Sequence, residues 1–262
     1  MIYRVDLHVH SSATPGAPSS VEELARAARR AGLDAIAITD LDRCTSIPVE
    51  MRGVLLIPGC DVTTLGGHIV GVFLEHPLDI ARLHRHGLPT ADEAVLEIHR
   101  CGGLAILAHP YEEKDADPSH FPIRPDAVET ISARATLHRS DANEQALLWA
   151  TEHQRPQVGS SNALSALEVG NAYTEIACRS LSRSDLKEAL DLGRCRPVSV
   201  RPTGGVARGH TEILHAKKEG NMKQVVLSTV SLGVSQLRDM LPRKKKKTSR
   251  PAAKRRLGKK KK

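Results

Sequence analysis

Aromatic side chains make up only 2% of this 262-residue chain, with one Trp, three Tyr and two Phe. So few rings argue against a surface built to stack unpaired bases. No apolar run approaches the ~20 residues a membrane-spanning helix requires. The opening residues Met1-Ile2-Tyr3-Arg4-Val5-Asp6 also lack the charged-then-apolar layout of a signal peptide, so a cytoplasmic protein with no membrane contact is expected. The five cysteines (Cys44, Cys60, Cys101, Cys178, Cys195) are scattered, odd in number and never spaced as Cys-x-x-Cys. That argues against a disulfide framework and against a structural zinc site. No Gly-x-Gly-x-x-Gly or Walker loop accompanies any early strand, which disfavours an open nucleotide-binding sheet.

What remains is an ordinary soluble composition, 40% apolar, in a chain long enough for one large domain with a buried core. The net charge of +8 is unevenly spread: residues 243–262 hold 13 Lys and Arg and no acid, leaving 25 basic against 30 acidic residues elsewhere. The three basic clusters of this tail have no apolar periodicity between them, so it is expected to be disordered. Such a tail either contacts nucleic acid non-specifically by counterion release or serves only as a solubilising extension.

Along the rest of the chain, short apolar runs alternate with amphipathic stretches, the pattern of β-α units around a parallel sheet. Tyr3 to His10 reads as a strand with Val5, Leu7 and Val9 on one face and Asp6, His8 and His10 on the other. Helices are expected at Val21 to Ala31 and Thr90 to Cys101, each opened by a capping box, Ser20 with Glu23 and Thr90 with Glu93. Further strands are expected at 34–39, 53–59, 67–74, 104–108, 126–131, 157–159 and 172–178, with helices at 140–153 and 184–192. Polar residues recur at strand C-terminal ends, where (β/α) barrels assemble their sites. Residues 200–243 resist placement beyond the end of an amphipathic helix near Gln236 to Leu241.

His8 and His10, two apart on one strand, point the same way and can share one ion, for which imidazole suits zinc, manganese or iron. Taken alone, the pair is explained equally well by chance alternation on a solvated face. Asp40, Asp61, His68, His109 and Asn162 also lie at or beside strand ends after apolar runs, and buried imidazoles and carboxylates need partners that a shared cation supplies.

In chain order, Asp6-Leu7-His8-Val9-His10-Ser11, Gly32 to Asp40, Ile57-Pro58-Gly59-Cys60-Asp61, Gly67-His68-Ile69-Val70-Gly71, Leu107-Ala108-His109-Pro110 and Gly170 to Thr174 resemble the PHP (polymerase and histidinol phosphatase) domain. The likeness covers about residues 1–196 and is greatest to the stand-alone phosphoesterases. It implies a distorted (β/α)7 TIM-like barrel over 1–196; beyond it the sequence leaves an extension of uncertain structure over 197–242 and the basic tail over 243–262. It also implies divalent-metal-dependent hydrolysis of a phosphate ester of a small molecule or nucleotide. His8, His10, Asp61 and Asn162 would hold a first metal, with Asp61 bridging to a second held by His68 and His109. Asp40 belongs to the same ligand set. Arg134 falls where such proteins often place a phosphate-contacting arginine, a solvated surface arginine being the alternative; Asp61, His109 and Arg134 are the expected catalytic residues. The resemblance also implies histidines just after Asp40 and just after Ala163, where this chain has Leu41 and Leu164. One or two ions are therefore expected rather than three, and Asn162, neutral where a carboxylate is usual, weakens the first site. The competing reading is a catalytically impaired binding or regulatory protein.

Overall fold

A computed structural model describes residues 1–113 and 115–240; the expected disordered tail, 243–262, lies outside the described residues. The first half runs β1 (Ile2–Val9), α1 (Val21–Arg30), β2 (Ala35–Ile38), β3 (Glu50–Met51), β4 (Val54–Thr64), β5 (Gly67–Val72), α2 (Ile80–Leu83), α3 (Ala91–Arg100) and β6 (Leu104–Ala108). The second half runs β7 (Ala127–Ser132), α4 (Ala142–Glu152), β8 (Gln157–Ser160), β9 (Ala172–Ala177), α5 (Arg183–Asp191), β10 (Cys195–Ser199), α6 (Gly205–Lys218) and α7 (Met222–Met240).

Both capping boxes form. The Ser20 hydroxyl accepts from the Glu23 amide and the Glu23 carboxylate accepts from the Ser20 amide, and Thr90 and Glu93 repeat the arrangement on α3. Each satisfies orphan donors at the helix start and fixes where the chain leaves its strand. α1 then buries Leu24, Ala25, Ala27 and Ala28 against Ile36, Ile38 and Leu56.

The strands form one sheet in the order β10-β9-β1-β2-β4-β5-β6-β7-β8, with β3 pairing β4. The sheet curls into a nearly closed barrel, the distorted TIM-like fold expected from the sequence. It is not the all-parallel sheet that strict β-α alternation implies. β4–β5 and β5–β6 are antiparallel, as are β1–β9 and β9–β10. The cause is local: only Leu65 and Gly66 connect β4 to β5, and a connection that short permits only a hairpin. Glycine at 66 is required, since a Cβ there would lie 2.0 Å from the His120 carbonyl oxygen. Because β5 runs against its neighbours, its first residues, not its last, reach the barrel mouth.

The face alternation expected of β1 also fails, at a bulge. Asp6 pairs with Ile36 and Val9 with Ile38, so three steps on β1 match two on β2. The extra residue turns the strand over. Val5 and Leu7 therefore pack inside the barrel with Ala35, Ala37, Leu55 and Ile57, while Val9 packs outside with Ile36 and Ile38. Past the bulge, His8 and His10 are buried at the mouth, and Asp6 is left on the outer side. There Asp6 accepts hydrogen bonds from the Ser161 amide (3.0 Å) and the Gly170 amide (3.1 Å). Together with the His10 amide bond to the Ala163 carbonyl (2.9 Å), these contacts close the barrel between β1 and the segment following β8.

α6 and α7 form a helical hairpin around Ile213, Ala216, Val225 and Leu232, so the helix end expected near Gln236 belongs to a helix that starts at Met222. Among the described residues no helix is long and apolar enough to cross a membrane.

Burial raises the Asp6 pKa from 3.8 to about 6, against the pull of its amide donors. A carboxyl raised on folding stabilises most when both states are protonated, and loses that contribution as pH rises from about 4 through 6. The stability of wild type relative to Asp6→Asn, measured by urea unfolding, should accordingly fall over that window by on the order of 3 kcal/mol and level off above it. A flat difference across the window would contradict this.

Candidate metal centre

At the barrel mouth the inner face of the sheet changes from apolar to ionisable. On β4 the inward positions run Leu55, Ile57, Gly59 and then Asp61; on β5 they run Val72, Val70 and then His68. Asp61 is thus carried by register to a place beside His68, whose Nδ1 lies 3.2 Å from both of its carboxylate oxygens. The bulged end of β1 adds His8 Nε2 and His10 Nε2 at 3.5 and 3.9 Å from Asp61 Oδ2, and the two ring nitrogens are 3.0 Å apart. His109 follows β6, its ring stacked on His8 at 5.5 Å between centroids. The backbone at His109 has φ +26°, an uncommon conformation that surrounding bonds must hold. Its amide donates to Glu129 Oε2 at 2.8 Å, and its Nδ1 is 2.9 Å from Glu112 Oε2.

Hydrogen-bond logic fixes which nitrogens offer lone pairs. Thr14 gives its hydroxyl proton to Asp40 (2.9 Å), so it accepts from His10 Nδ1 at 3.2 Å and leaves His10 Nε2 unprotonated toward Asp61. In the same way Glu112 holds the proton on His109 Nδ1 and frees Nε2. A carboxylate on the far ring nitrogen is the support that would orient an imidazole toward a cation.

Asp40 itself is not brought into the cluster. It accepts from the Ser11 amide and hydroxyl (2.6 and 2.7 Å), from Thr14 and from Thr45, which uses all of its lone-pair directions. It acts on the site at one remove, through Thr14. Asn162 does reach the pocket, at φ +48°, a left-handed conformation that Asn tolerates better than most residues. Arg134, Leu41 and Leu164 line the same pocket, of about 650 Å³.

The electrostatics are those of opposed charges sharing a dry volume. Burial alone would raise the Asp61 carboxyl, but His68 and His8 hold it well below the usual range. Burial opposes charge on His8, yet the carboxylates of Glu129 and Asp61 outweigh it and raise that ring to about 10. His10, buried and beside charged His8, falls to about 3. Glu112, despite burial, is drawn down to about 2 by His109, His138 and Arg134.

Among the buried side-chain atoms without a hydrogen-bond partner are His8 Nδ1 and Glu129 Oε1, which face each other across 3.6 Å. His8, His10 and Asp61 form one group whose ligand atoms converge, and His8, His109 and Glu129 form another. Buried donors of this kind, converging without mutual satisfaction, fit a divalent cation.

A family model described as PHP-associated matches residues 140–195. An uncharacterised protein of Methanocaldococcus jannaschii is 31% identical over 148 residues, half of this chain and 82% of that one. A two-domain protein of Bacteroides vulgatus containing a predicted PHP-like metal-dependent phosphoesterase superposes over 76% of this chain and 65% of its own, at TM-score 0.55 and 19% identity. The chain belongs to the PHP family. Endonuclease Q, in complex with a 27-mer duplex substrate carrying an abasic lesion, shares the PHP fold at TM-score 0.55 and 19% identity, over 78% of this chain and 61% of that one. This PHP chain therefore spans less than two thirds of either solved structure.

Sequence reasoning within the PHP pattern missed Glu129, Glu112 and Thr14. Glu129 left a usable signal, a carboxylate in the middle of a strand whose other residues are almost all buried. Its register partner Val158 lies in the barrel interior, so Glu129 points inward. Glu112 sits on an irregular loop and left none.

Since Asp61 and Glu129 hold a proton on His8, cation uptake must displace it. Between pH 6 and 8 the dissociation constant for Mn²⁺ should fall as pH rises, by about tenfold per unit for one proton released. Isothermal titration in buffers of different ionisation enthalpy checks this, and a pH-independent constant would contradict it.

Proposed function

We propose that the protein is a divalent-metal-dependent phosphoesterase that hydrolyses a phosphate ester of a small molecule or nucleotide. The observation that carries this reading is the convergence of His8, His10, Asp61, His68 and His109 at the barrel mouth, where all but His8 line one pocket with Arg134 on its wall. His8, His10 and Asp61 would hold a first cation beside Asn162. His68 and His109 would hold a second, with Asp61 shared between them. Manganese, zinc and iron suit such a donor set. When bound, a divalent cation acts as a Lewis acid on the ester and makes water a stronger nucleophile at neutral pH. Leu41 and Leu164 offer no lone pair, so one or two ions are expected, not three.

The chain's own groups do the remaining work. Arg134 can take two phosphate oxygens through its planar fork. Glu112 and Thr14 keep His109 and His10 in the tautomers that present Nε2, and Leu41, Leu164 and Phe121 keep part of the pocket dry.

Pocket volume and rim charge favour a small ester. About 650 Å³ suits a compact molecule, and the exposed Glu113, Asp115 and Asp117 along its edge repel a polyanionic strand. Residues 243–262 would add a salt-sensitive contact to nucleic acid. The reading as an impaired binding protein draws its support from the two leucines and from Asn162.

Purified protein with Mn²⁺, assayed against an aryl phosphate and a nucleotide panel, should show turnover that His8→Ala and His109→Ala each reduce by about 10³-fold or more. Turnover no greater than in these variants would overturn the proposal. Asn162→Asp keeps a residue that tolerates φ +48° and restores a negative charge, so it should tighten Mn²⁺ binding by about tenfold. Unchanged or weaker binding, read by titration, would remove Asn162 from the ligand set.

A further inference from the structure

We infer that α6 is a working part of the phosphate site, setting the position of Arg134 through Thr211 and the buried carboxylate of Glu168. This rests on the reading of Arg134 as the phosphate-contacting group. Arg134 is the one arginine or lysine on the pocket wall among the described residues. A guanidinium on a long side chain loses much rotamer freedom when it is aimed at an anion, so what holds it in advance determines how well it binds.

Here the holding group is Glu168, fully buried, whose Oε2 lies 2.5 Å from Arg134 Nη1. A buried carboxylate must be satisfied on its other oxygen as well. Glu168 Oε1 accepts from the Thr211 hydroxyl at 2.6 Å and from Ser165 at 3.3 Å, and the Ser165 and Thr211 hydroxyls are 2.8 Å apart. Thr211 lies on α6, outside the barrel. A second tie runs through the backbone: the Thr203 amide, just ahead of α6, donates to the carbonyl of Ala133, the residue before Arg134, at 2.7 Å. Ser165 and Glu168 share the β8–β9 connection with Asn162 and Leu164, so the helix braces that connection and the arginine together. Thr211 and Glu168 are positioning residues, acting on phosphate only through Arg134.

The test uses the full chain with Mn²⁺, measuring the dissociation constant for inorganic orthophosphate and, on an aryl phosphate, KM and kcat separately. Thr211→Val removes the hydroxyl and keeps the side-chain shape. It should weaken orthophosphate binding and raise KM about three- to tenfold, with kcat nearly unchanged and metal content and melting temperature retained. Glu168→Gln should act in the same direction, and Thr211→Ser, which keeps the hydroxyl, should keep the affinity. In an Arg134→Lys background, Thr211→Val should have no further effect, an outcome that a merely structural role would not produce.

Thr211→Val effects of equal size in both backgrounds, or no effect while Arg134→Lys weakens phosphate binding, would overturn the inference and leave the phosphoesterase reading intact. Coupling seen in phosphate binding without any turnover would overturn that reading and leave the inference standing. Failure of Arg134→Lys to alter phosphate binding would overturn both the arginine's role and the inference. If Thr211→Val does not fold, Thr211→Ala carries the same comparison.

Discussion

Asp61 is a carboxylate set almost wholly out of water among three imidazoles, and the architecture of the barrel mouth is arranged around it. An ion in that position is expensive unless its neighbours compensate it. His68 faces both of its oxygens, His8 carries a proton toward it, and His10 is kept neutral by its burial and by the charged His8 beside it. Glu129 balances His8 from the far side and grips the strained backbone of His109. The cluster is thus held by opposed charges that remain incompletely paired, the electrostatic condition under which a cation displaces a proton.

The sheet brings those groups together through two departures from regular pleating. The β1 bulge turns His8 and His10 inward while releasing Asp6 to pin the closing segment from outside. The second irregularity lies on β7, between Glu129 and Ile131. Bulges beside functional sites re-aim side chains that strict alternation would send elsewhere, and in this protein they determine which residues meet. The antiparallel β5 is equally consequential, because its reversal presents His68 at the mouth.

Much of this was legible in the sequence. The capping boxes at Ser20 and Thr90, the strand leading to His8, and the ordered series His8, His10, Asp61, His68 and His109 are patterns that local chemistry writes directly into the chain. What alternation cannot express is a bulge, so the face shared by His8, His10 and Leu7 was unreadable, and Asp6 fell on the wrong side. Asp40 looked like a ligand because it ends an apolar strand; only the folded loops reveal the Ser11, Thr14 and Thr45 hydroxyls that occupy it. The stretch before α7 gave little warning of a helix because α6 opens on Gly204, which provides no side-chain cap. The chain from Arg134 through Glu168 to Thr211 joins residues far apart in sequence and depends wholly on tertiary packing.

The central claim is that the converging His8, His10, Asp61, His68 and His109 hold metal. Elemental analysis of mildly purified full-length protein, beside His8→Ala, measures it directly. One to two divalent ions per chain, largely lost in the variant, is the predicted result; wild-type protein without bound metal, or a content that His8→Ala leaves unchanged, would contradict the account.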